Sequence, residues 1–164
     1  MQAIVAIGAN LPGPAGEPPA ITCRRAAEAL GGIAGFRRIA VSPWYSSAAW
    51  PDPSDPPYVN GAALLEGEGD PAELLAALHG LEDAAGRRRS VPNAPRPLDL
   101  DLVAMGDRVI RTPALTLPHP RAHERAFVMV PVADIAPDWR HPVLGRTARE
   151  IAAALPRDGV ARLP

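Results

Sequence analysis

Short apolar segments typical of strands alternate along the first half of the chain with segments whose apolar residues have helical spacing. The unbroken apolar segment Ala3–Ile7 is typical of a buried strand, and the helical spacing over Ala20–Leu30 ends at a pair of glycines. The segment Phe36–Tyr45, in which Ile39 and Val41 share one face, predicts a second strand. A third strand is predicted over Tyr58–Leu65.

The second predicted helix has the clearest start signal in the chain. Asp70 suits the N-cap, Pro71 the first helical position and Glu73 the third, as in a capping box. An apolar stripe follows, and we expect the helix to end near Gly86; the stripe consists of Leu74, Leu75, Leu78, Leu81 and Ala85. The proline-punctuated stretch 87–97 predicts a loop, and a fourth strand is expected over Leu98–Ala104.

The resulting order of elements, β-α-β-β-α-β, indicates an α+β protein with a ferredoxin-like antiparallel sheet and helices on one face. From Gly106 onward we expect additional C-terminal elements, the last of them a short helix over Thr147–Leu155. A chain of 164 residues without an internal repeat or a linker is expected to form one domain, over residues 1–164.

Composition removes several classes of function. All 17 basic residues are arginines, which excludes a lysine Schiff base and a Walker A phosphate loop. A net charge of −1 and 4% aromatic residues argue against a nucleic-acid surface, including the RNA-binding use of a ferredoxin-like sheet. The apolar segments are short and the N-terminus lacks a basic signal region, so we expect no membrane segment and a cytoplasmic location. Cys23 is the one cysteine, which excludes an intrachain disulfide.

The sharpest chemical signal is the alternation of leucine and aspartate over Leu98–Leu102. Strand side chains alternate between faces, so Asp99 and Asp101 are expected about 6.5 Å apart on one face, with the leucines toward the core. Neighbouring carboxylates repel each other unless a cation lies between them, and such oxygen ligands suit Mg²⁺ with bound phosphate. The alternative is a solvent-facing strand whose polar side is acidic.

Arginines precede these aspartates in the predicted loop. Arg87, Arg88 and Arg89 follow the second helix, and Arg96 lies well beyond it. Guanidinium groups bind phosphate oxygens in a bidentate manner, and arginines beside acidic metal ligands are typical of phosphoryl transfer. The favourable field at a helix C-terminus is an alternative explanation for the first three arginines but not for Arg96.

Three further residues, in two segments of the chain, have ligand-binding chemistry. His119 lies between two prolines, so its backbone is stiff and its ring could donate to a phosphate, although a structural histidine is the alternative. Tyr58 and Asn60 open the third strand. An aromatic wall and an amide can hold a flat heterocycle, although a core tyrosine and an edge asparagine explain the same residues.

Taken together and in order, these motifs resemble the 6-hydroxymethyl-7,8-dihydropterin pyrophosphokinases of folate biosynthesis. The resemblance extends from Ile4 to about Trp139, and the stretch from Arg96 to Asp101 is close to a signature of the family. The segments that carry it are Ala6–Leu11, Tyr58–Asn60, Pro95–Asp101, Leu117–Pro120 and Arg125–Val128.

This resemblance implies transfer of the diphosphate of ATP to the hydroxymethyl group of a reduced pterin, with release of AMP and with two Mg²⁺ ions. It implies that Asp99 and Asp101 bind the metal and act in catalysis together with Arg87 and Arg96. The implied ATP-binding residues are Arg89, Leu102, Thr116, His119 and Arg125. The implied pterin-binding residues are Ser47, Ala48, Tyr58, Asn60 and Phe127. Glu82 corresponds to a helix carboxylate that often faces the site.

The resemblance further implies a monomer that acts on small molecules, with loops 12–19, 46–57 and 87–97 closing over them. The chain departs from many members at Val91–Ala94, where a tryptophan is common. The alternative function is a catalytically inactive regulatory module that binds ATP and Mg²⁺. Such a module would be expected to lack one of the aspartates or loop arginines, and this chain retains them.

Overall fold

The computed structural model describes residues 1–48, 52, 54, 56–86, 97–157 and 159–164. Its strands are β1 (Gln2–Ala9), β2 (Phe36–Val41), β3 (Tyr45–Ser47), β4 (Tyr58–Gly67), β5 (Asp99–Met105), β6 (Ile110–Arg111), β7 (Thr116–Leu117) and β8 (Ala161–Arg162). Its helices are α1 (Pro19–Leu30), α2 (Pro71–Ala84), α3 (Ala126–Ile135) and α4 (Ala148–Ala154), with a short 3-10 helix at Ala122–Glu124. The α+β class is therefore confirmed.

The main sheet has six strands, in the order β5-β1-β4-β3-β8, with β2 also paired to β4. β1 pairs antiparallel with β4 on one side and with β5 on the other. β5 is thus an outer strand, and its pairing with β1 shifts register between Ile4 and Val5. β6 and β7 form a separate two-stranded ribbon.

Helices cover both faces of the sheet, whereas the sequence predicted helices on one face only. Residues of α1 and α2 pack with Leu100 and Leu102 of β5, and with Leu98 just before it, in one apolar cluster. Residues of α3 and α4 form a second cluster against the opposite face, with Ile4 and Ala6 of β1. The C-terminal segment therefore supplies a third layer to the fold.

The helix α3 was not predicted because its sequence lacks a polar face. Nearly every residue of AFVMVPVADI is apolar, and Pro131 lies inside the helix, so neither a 3.6-residue period nor a helix signal stands out. The all-round apolar character is explained by its position between the sheet and α4. None of the described helices is long and apolar enough to cross a membrane.

The predicted second strand is divided into β2 and β3. Ser42 ends β2: its backbone N–H donates to the carbonyl of Ala62 and its hydroxyl accepts from the Ala62 N–H, both at 2.9 Å. Pro43 follows and has no N–H to continue the ladder. The chain re-enters the sheet at Tyr45, so the predicted loop over 46–57 is wrong at its first two residues.

The start of α2 agrees with the predicted N-cap. The Asp70 carboxylate accepts from the N–H of Ala72 at 3.0 Å, and Pro71 is the first helical residue. Leu74 and Leu78 of the predicted stripe are buried, and the next position at this spacing is Glu82, which is 1% exposed. The core side of α2 therefore carries a buried carboxylate.

The capping box of α4 gives a stability prediction. The Thr147 hydroxyl accepts from the N–H of Glu150, and the Glu150 carboxylate accepts from the N–H of Thr147. Thr147→Val is expected to lower the free energy of unfolding by about 1 kcal/mol, because it leaves a helix N-terminal donor without its partner. Urea unfolding monitored by circular dichroism measures this change, and a variant as stable as the parent would contradict the capping role.

Candidate active site

Asp99 and Asp101 extend from β5 on the side opposite its leucines. Leu98, Leu100 and Leu102 are each 3% exposed or less, whereas the two aspartates are only partly buried. The predicted alternation is therefore present. The pairing of β5 with β1 places Asp99 opposite Gly8 and Asp101 opposite Ala6. Both aspartates line each of two cavities.

The first cavity has a volume of about 310 Å³ and lies over one end of β1, β3, β4 and α3. Its floor is backbone of β1 near Gly8, where a methyl group would lie 3.4 Å from Asn60 Oδ1. The structure brings together here every residue that the resemblance implied for the pterin: Ser47, Ala48, Tyr58, Asn60 and Phe127. These residues come from β3 and the position after it, from β4, and from the distant α3.

Asn60 is held by a buried hydrogen bond in this cavity. Its amide nitrogen donates to the hydroxyl of Ser47 at 2.7 Å, and both side chains are 5% exposed or less. The contact exists because β3 pairs with β4, with Tyr45 opposite Asn60 and Ser47 opposite Tyr58. The amide keeps a second N–H and its carbonyl oxygen, so Asn60 can still offer both a donor and an acceptor to a ring.

An aromatic ring and a cation meet at the start of α3. The guanidinium carbon of Arg125 lies 5.8 Å from the centre of the Phe127 ring. The carbonyl of Arg125 accepts from the N–H groups of Val128 and Met129, which anchors it at the helix N-terminus. Arg125 thus lies beside the Phe127 ring and lines both cavities together with Asp99 and Asp101.

The second cavity has a volume of about 440 Å³ and lies between β5, α2 and the segment before α3. It brings together four of the five residues that the resemblance implied for ATP: Leu102, Thr116, His119 and Arg125. The fifth, Arg89, and the implied catalytic residues Arg87 and Arg96 lie outside the described residues. The three residues Asp99, Asp101 and Arg125 border both cavities.

His119 is fixed at the edge of the second cavity. Its backbone N–H donates to the carbonyl of Val103 at 2.8 Å, and its Nδ1 accepts from the N–H of Arg121 at 3.1 Å. Burial lowers the pKa of His119, and the positive charge of Arg125 lowers it further. A neutral ring whose Nδ1 accepts a hydrogen bond carries its proton on Nε2, so His119 can donate from that atom.

Glu82 also lies in the candidate site, although the sequence predicted no specific role for it. Its carboxylate accepts from the backbone N–H of Leu100 at 2.8 Å, and it lines the second cavity. Leu100 is the residue between the two aspartates. The sequence does contain a signal for a role of Glu82. This carboxylate follows Leu74 and Leu78 on the apolar side of α2, where an apolar residue is normally found.

Comparison with known proteins adds independent findings. The family described as 7,8-dihydro-6-hydroxymethylpterin-pyrophosphokinase matches residues 4–137. The chain is similar to the 2-amino-4-hydroxy-6-hydroxymethyldihydropteridine pyrophosphokinase of Pseudomonas aeruginosa, with 40% identity over 98% of this chain and 95% of that protein. It is also similar to the protein of that name from Synechocystis, with 41% identity over 88% of this chain and 71% of the relative.

A likeness in fold extends to a solved structure of low sequence identity. The crystal structure of wild-type Plasmodium falciparum HPPK-DHPS with pteroate matches with a TM-score of 0.70 and 13% identity. The match covers 93% of this chain but 42% of the solved one, so the chain spans less than half the length of that protein.

Proposed function

The chain belongs to the 7,8-dihydro-6-hydroxymethylpterin-pyrophosphokinase family and is a pyrophosphokinase of folate biosynthesis, and we propose that it transfers the diphosphate of ATP to the hydroxymethyl group of 6-hydroxymethyl-7,8-dihydropterin with release of AMP. The first cavity is proposed to bind the pterin and the second to bind ATP. Nothing in the described site or in the comparisons favours an inactive regulatory module.

One observation carries this proposal. Asp99, Asp101 and Arg125 border both cavities, so the groups best suited to a polyphosphate lie where the two substrates meet. Phosphoryl transfer requires an acceptor oxygen and a phosphorus atom held in line, with charge stabilisation around the transferred group. A cavity for a flat ring on one side and a cavity for a nucleotide on the other supply that arrangement.

The acidic pair fits bound Mg²⁺. The two carboxylates share one strand face and offer hard oxygen ligands. We propose that phosphate and water oxygens complete the coordination of an ion held by these two carboxylates. Bound Mg²⁺ would neutralise phosphate charge and orient the diphosphate. Two ions, both held through Asp99 and Asp101, remain our proposal.

The protein itself supplies binding and orientation. Asn60 is proposed to hydrogen-bond the edge of the pterin while Phe127 and Tyr58 wall its faces, which aims the hydroxymethyl oxygen at the shared residues. The Nε2–H of His119 and the guanidinium of Arg125 are proposed to donate to ATP phosphates. Arg87 and Arg96 are proposed to stabilise the transferring group, and Arg89, Leu102 and Thr116 to bind ATP. The remaining finer proposals are a ferredoxin-like strand order, a monomeric state and a cytoplasmic location.

The function is tested by measuring AMP release with ATP, Mg²⁺ and the pterin, and by omitting each component in turn. We expect AMP only when all three are present, and a diphosphorylated pterin in equal amount. Formation of ADP and inorganic phosphate without a diphosphorylated pterin would instead indicate an ATPase, and tight ATP binding without turnover would indicate the regulatory module.

A further inference from the structure

Glu82 lies almost entirely inside the protein, although it is a carboxylate. It is 1% exposed and belongs to the apolar side of α2, two turns after Leu74 and one turn after Leu78. Burying an ionised carboxylate is costly unless hydrogen bonds replace its hydration. A group placed here at such a cost is expected to contribute more than packing, because a leucine of similar volume would suit the position better on hydrophobic grounds.

One partner of Glu82 is a backbone group at the centre of the acidic strand. β5 pairs with β1 on one side and is the outer strand of the sheet on the other. The N–H of Leu100 donates to the Glu82 carboxylate at 2.8 Å. A carboxylate from α2 therefore accepts from one N–H of this outer strand, as a carbonyl of a neighbouring strand would.

Leu100 is the residue that joins Asp99 to Asp101. Its side chain is 2% exposed in the core, and its N–H is bound by Glu82, so both its side chain and its backbone are fixed. Because Asp99 and Asp101 are joined to Leu100 by peptide bonds, the fixed backbone of Leu100 also restrains their backbone positions. Glu82 also borders the second cavity with both aspartates, but the described residues contain no cluster of three acidic or other ligand groups that could hold a metal.

We propose that Glu82 is a positioning residue: it acts through the Leu100 backbone to hold the Asp99 and Asp101 carboxylates in the geometry that binds a divalent cation with ATP. The proposal deepens the function proposed above and depends on it for the identity of the cation complex. A metal site with few protein ligands binds its ion more weakly when those ligand atoms are displaced by a fraction of an ångström.

The test compares Glu82→Leu with Glu82→Gln. Glutamine keeps an oxygen that can accept from the Leu100 N–H, whereas leucine keeps the volume and removes the acceptor. Binding of Mn²⁺ in the presence of ATP is measured by electron paramagnetic resonance, and the Mg²⁺ concentration for half-maximal AMP release is measured in parallel. We expect Glu82→Leu to weaken Mn²⁺ binding and to raise the Mg²⁺ requirement by about tenfold each, and Glu82→Gln to change both by less than about threefold.

Two control variants separate positioning from general loss of stability. Thr147→Val destabilises the fold at α4, away from both cavities, and Glu73→Leu replaces an exposed carboxylate of the same helix. Neither should change Mn²⁺ binding or the Mg²⁺ requirement. If Glu82→Leu is too unstable to purify, Glu82→Met, which also lacks the acceptor, takes its place with the same expected result.

The outcomes are distinct. The positioning role is overturned if Glu82→Leu binds Mn²⁺ as tightly as the parent, or if Thr147→Val weakens Mn²⁺ binding as much as Glu82→Leu does. In either case, pterin-dependent AMP release by the parent still supports the proposed function. A parent enzyme that releases no AMP with the pterin overturns the proposed function and this inference together.

Discussion

Replacing Asp99 or Asp101 with alanine should reduce AMP release by several orders of magnitude. Each aspartate borders both cavities, so under the proposed function its loss removes a negative charge from the place where metal-bound phosphate would face the pterin. Electrostatic and metal-assisted stabilisation of a transferring phosphoryl group commonly accounts for factors of about 10³ or more. Single-turnover AMP release at saturating ATP, pterin and Mg²⁺ measures the effect on chemistry alone.

Asp107 provides the matched control, because it is an exposed carboxylate just after β5. Asp107→Ala should keep AMP release within about twofold of the parent, as expected for a surface substitution away from the site. The leucine face of β5 is untouched in all of these variants, so the secondary structure should be retained by circular dichroism. If both Asp99→Ala and Asp101→Ala keep near-normal turnover, the assignment of the metal site is wrong.

Asn60→Asp should weaken pterin binding by about 1–3 kcal/mol, or about 5- to 150-fold, and leave ATP binding unchanged. The amide of Asn60 offers a donor and an acceptor, whereas an ionised carboxylate offers acceptors only. The local fold should tolerate the change, because the Ser47 hydroxyl, 2.7 Å away, can donate to the new carboxylate in place of accepting from the amide. The affected group is therefore the ring edge of the ligand.

Calorimetric titration with the pterin and, separately, with Mg²⁺ and a non-hydrolysable ATP analogue distinguishes recognition from misfolding. A selective loss for the pterin supports the role of Asn60, and an equal loss for both ligands contradicts it. The control is Ser46→Ala. Ser46 lies on β3 next to Ser47 but does not line the first cavity, so this variant should bind both ligands as the parent does.

The sequence was most informative where one strand has two chemically distinct faces. The alternation over Leu98–Leu102 predicted both the strand and the separation of leucines from aspartates, because a period of two leaves a single consistent arrangement. By contrast, α3 lies between two apolar surfaces and shows no periodicity, so its existence depends on packing that the pattern does not encode. The break between β2 and β3 depends on hydrogen bonds between Ser42 and Ala62 of β4, a residue 20 positions later in the chain.

The two cavities required the fold as well as the motifs. The hydrogen bond of Asn60 to Ser47 arises from the register of β3 on β4, and no local pattern sets that register. The part played by Glu82 depends on α2 lying against the outer edge of β5. The roles of Arg87, Arg89 and Arg96 stay predictions, since these residues lie outside the described chain.

Asp99, Asp101 and Arg125 border both cavities, so under the proposed function the pterin and the nucleotide share three residues and we expect their binding to be coupled. Any free energy with which one occupant reorganises these three residues is also felt by the other. Thermodynamic linkage then requires reciprocity: the factor by which the nucleotide changes pterin affinity equals the factor by which the pterin changes nucleotide affinity. With such coupling, the dissociation constant of an inhibitor directed at either cavity is defined only when the occupancy of the other cavity is stated.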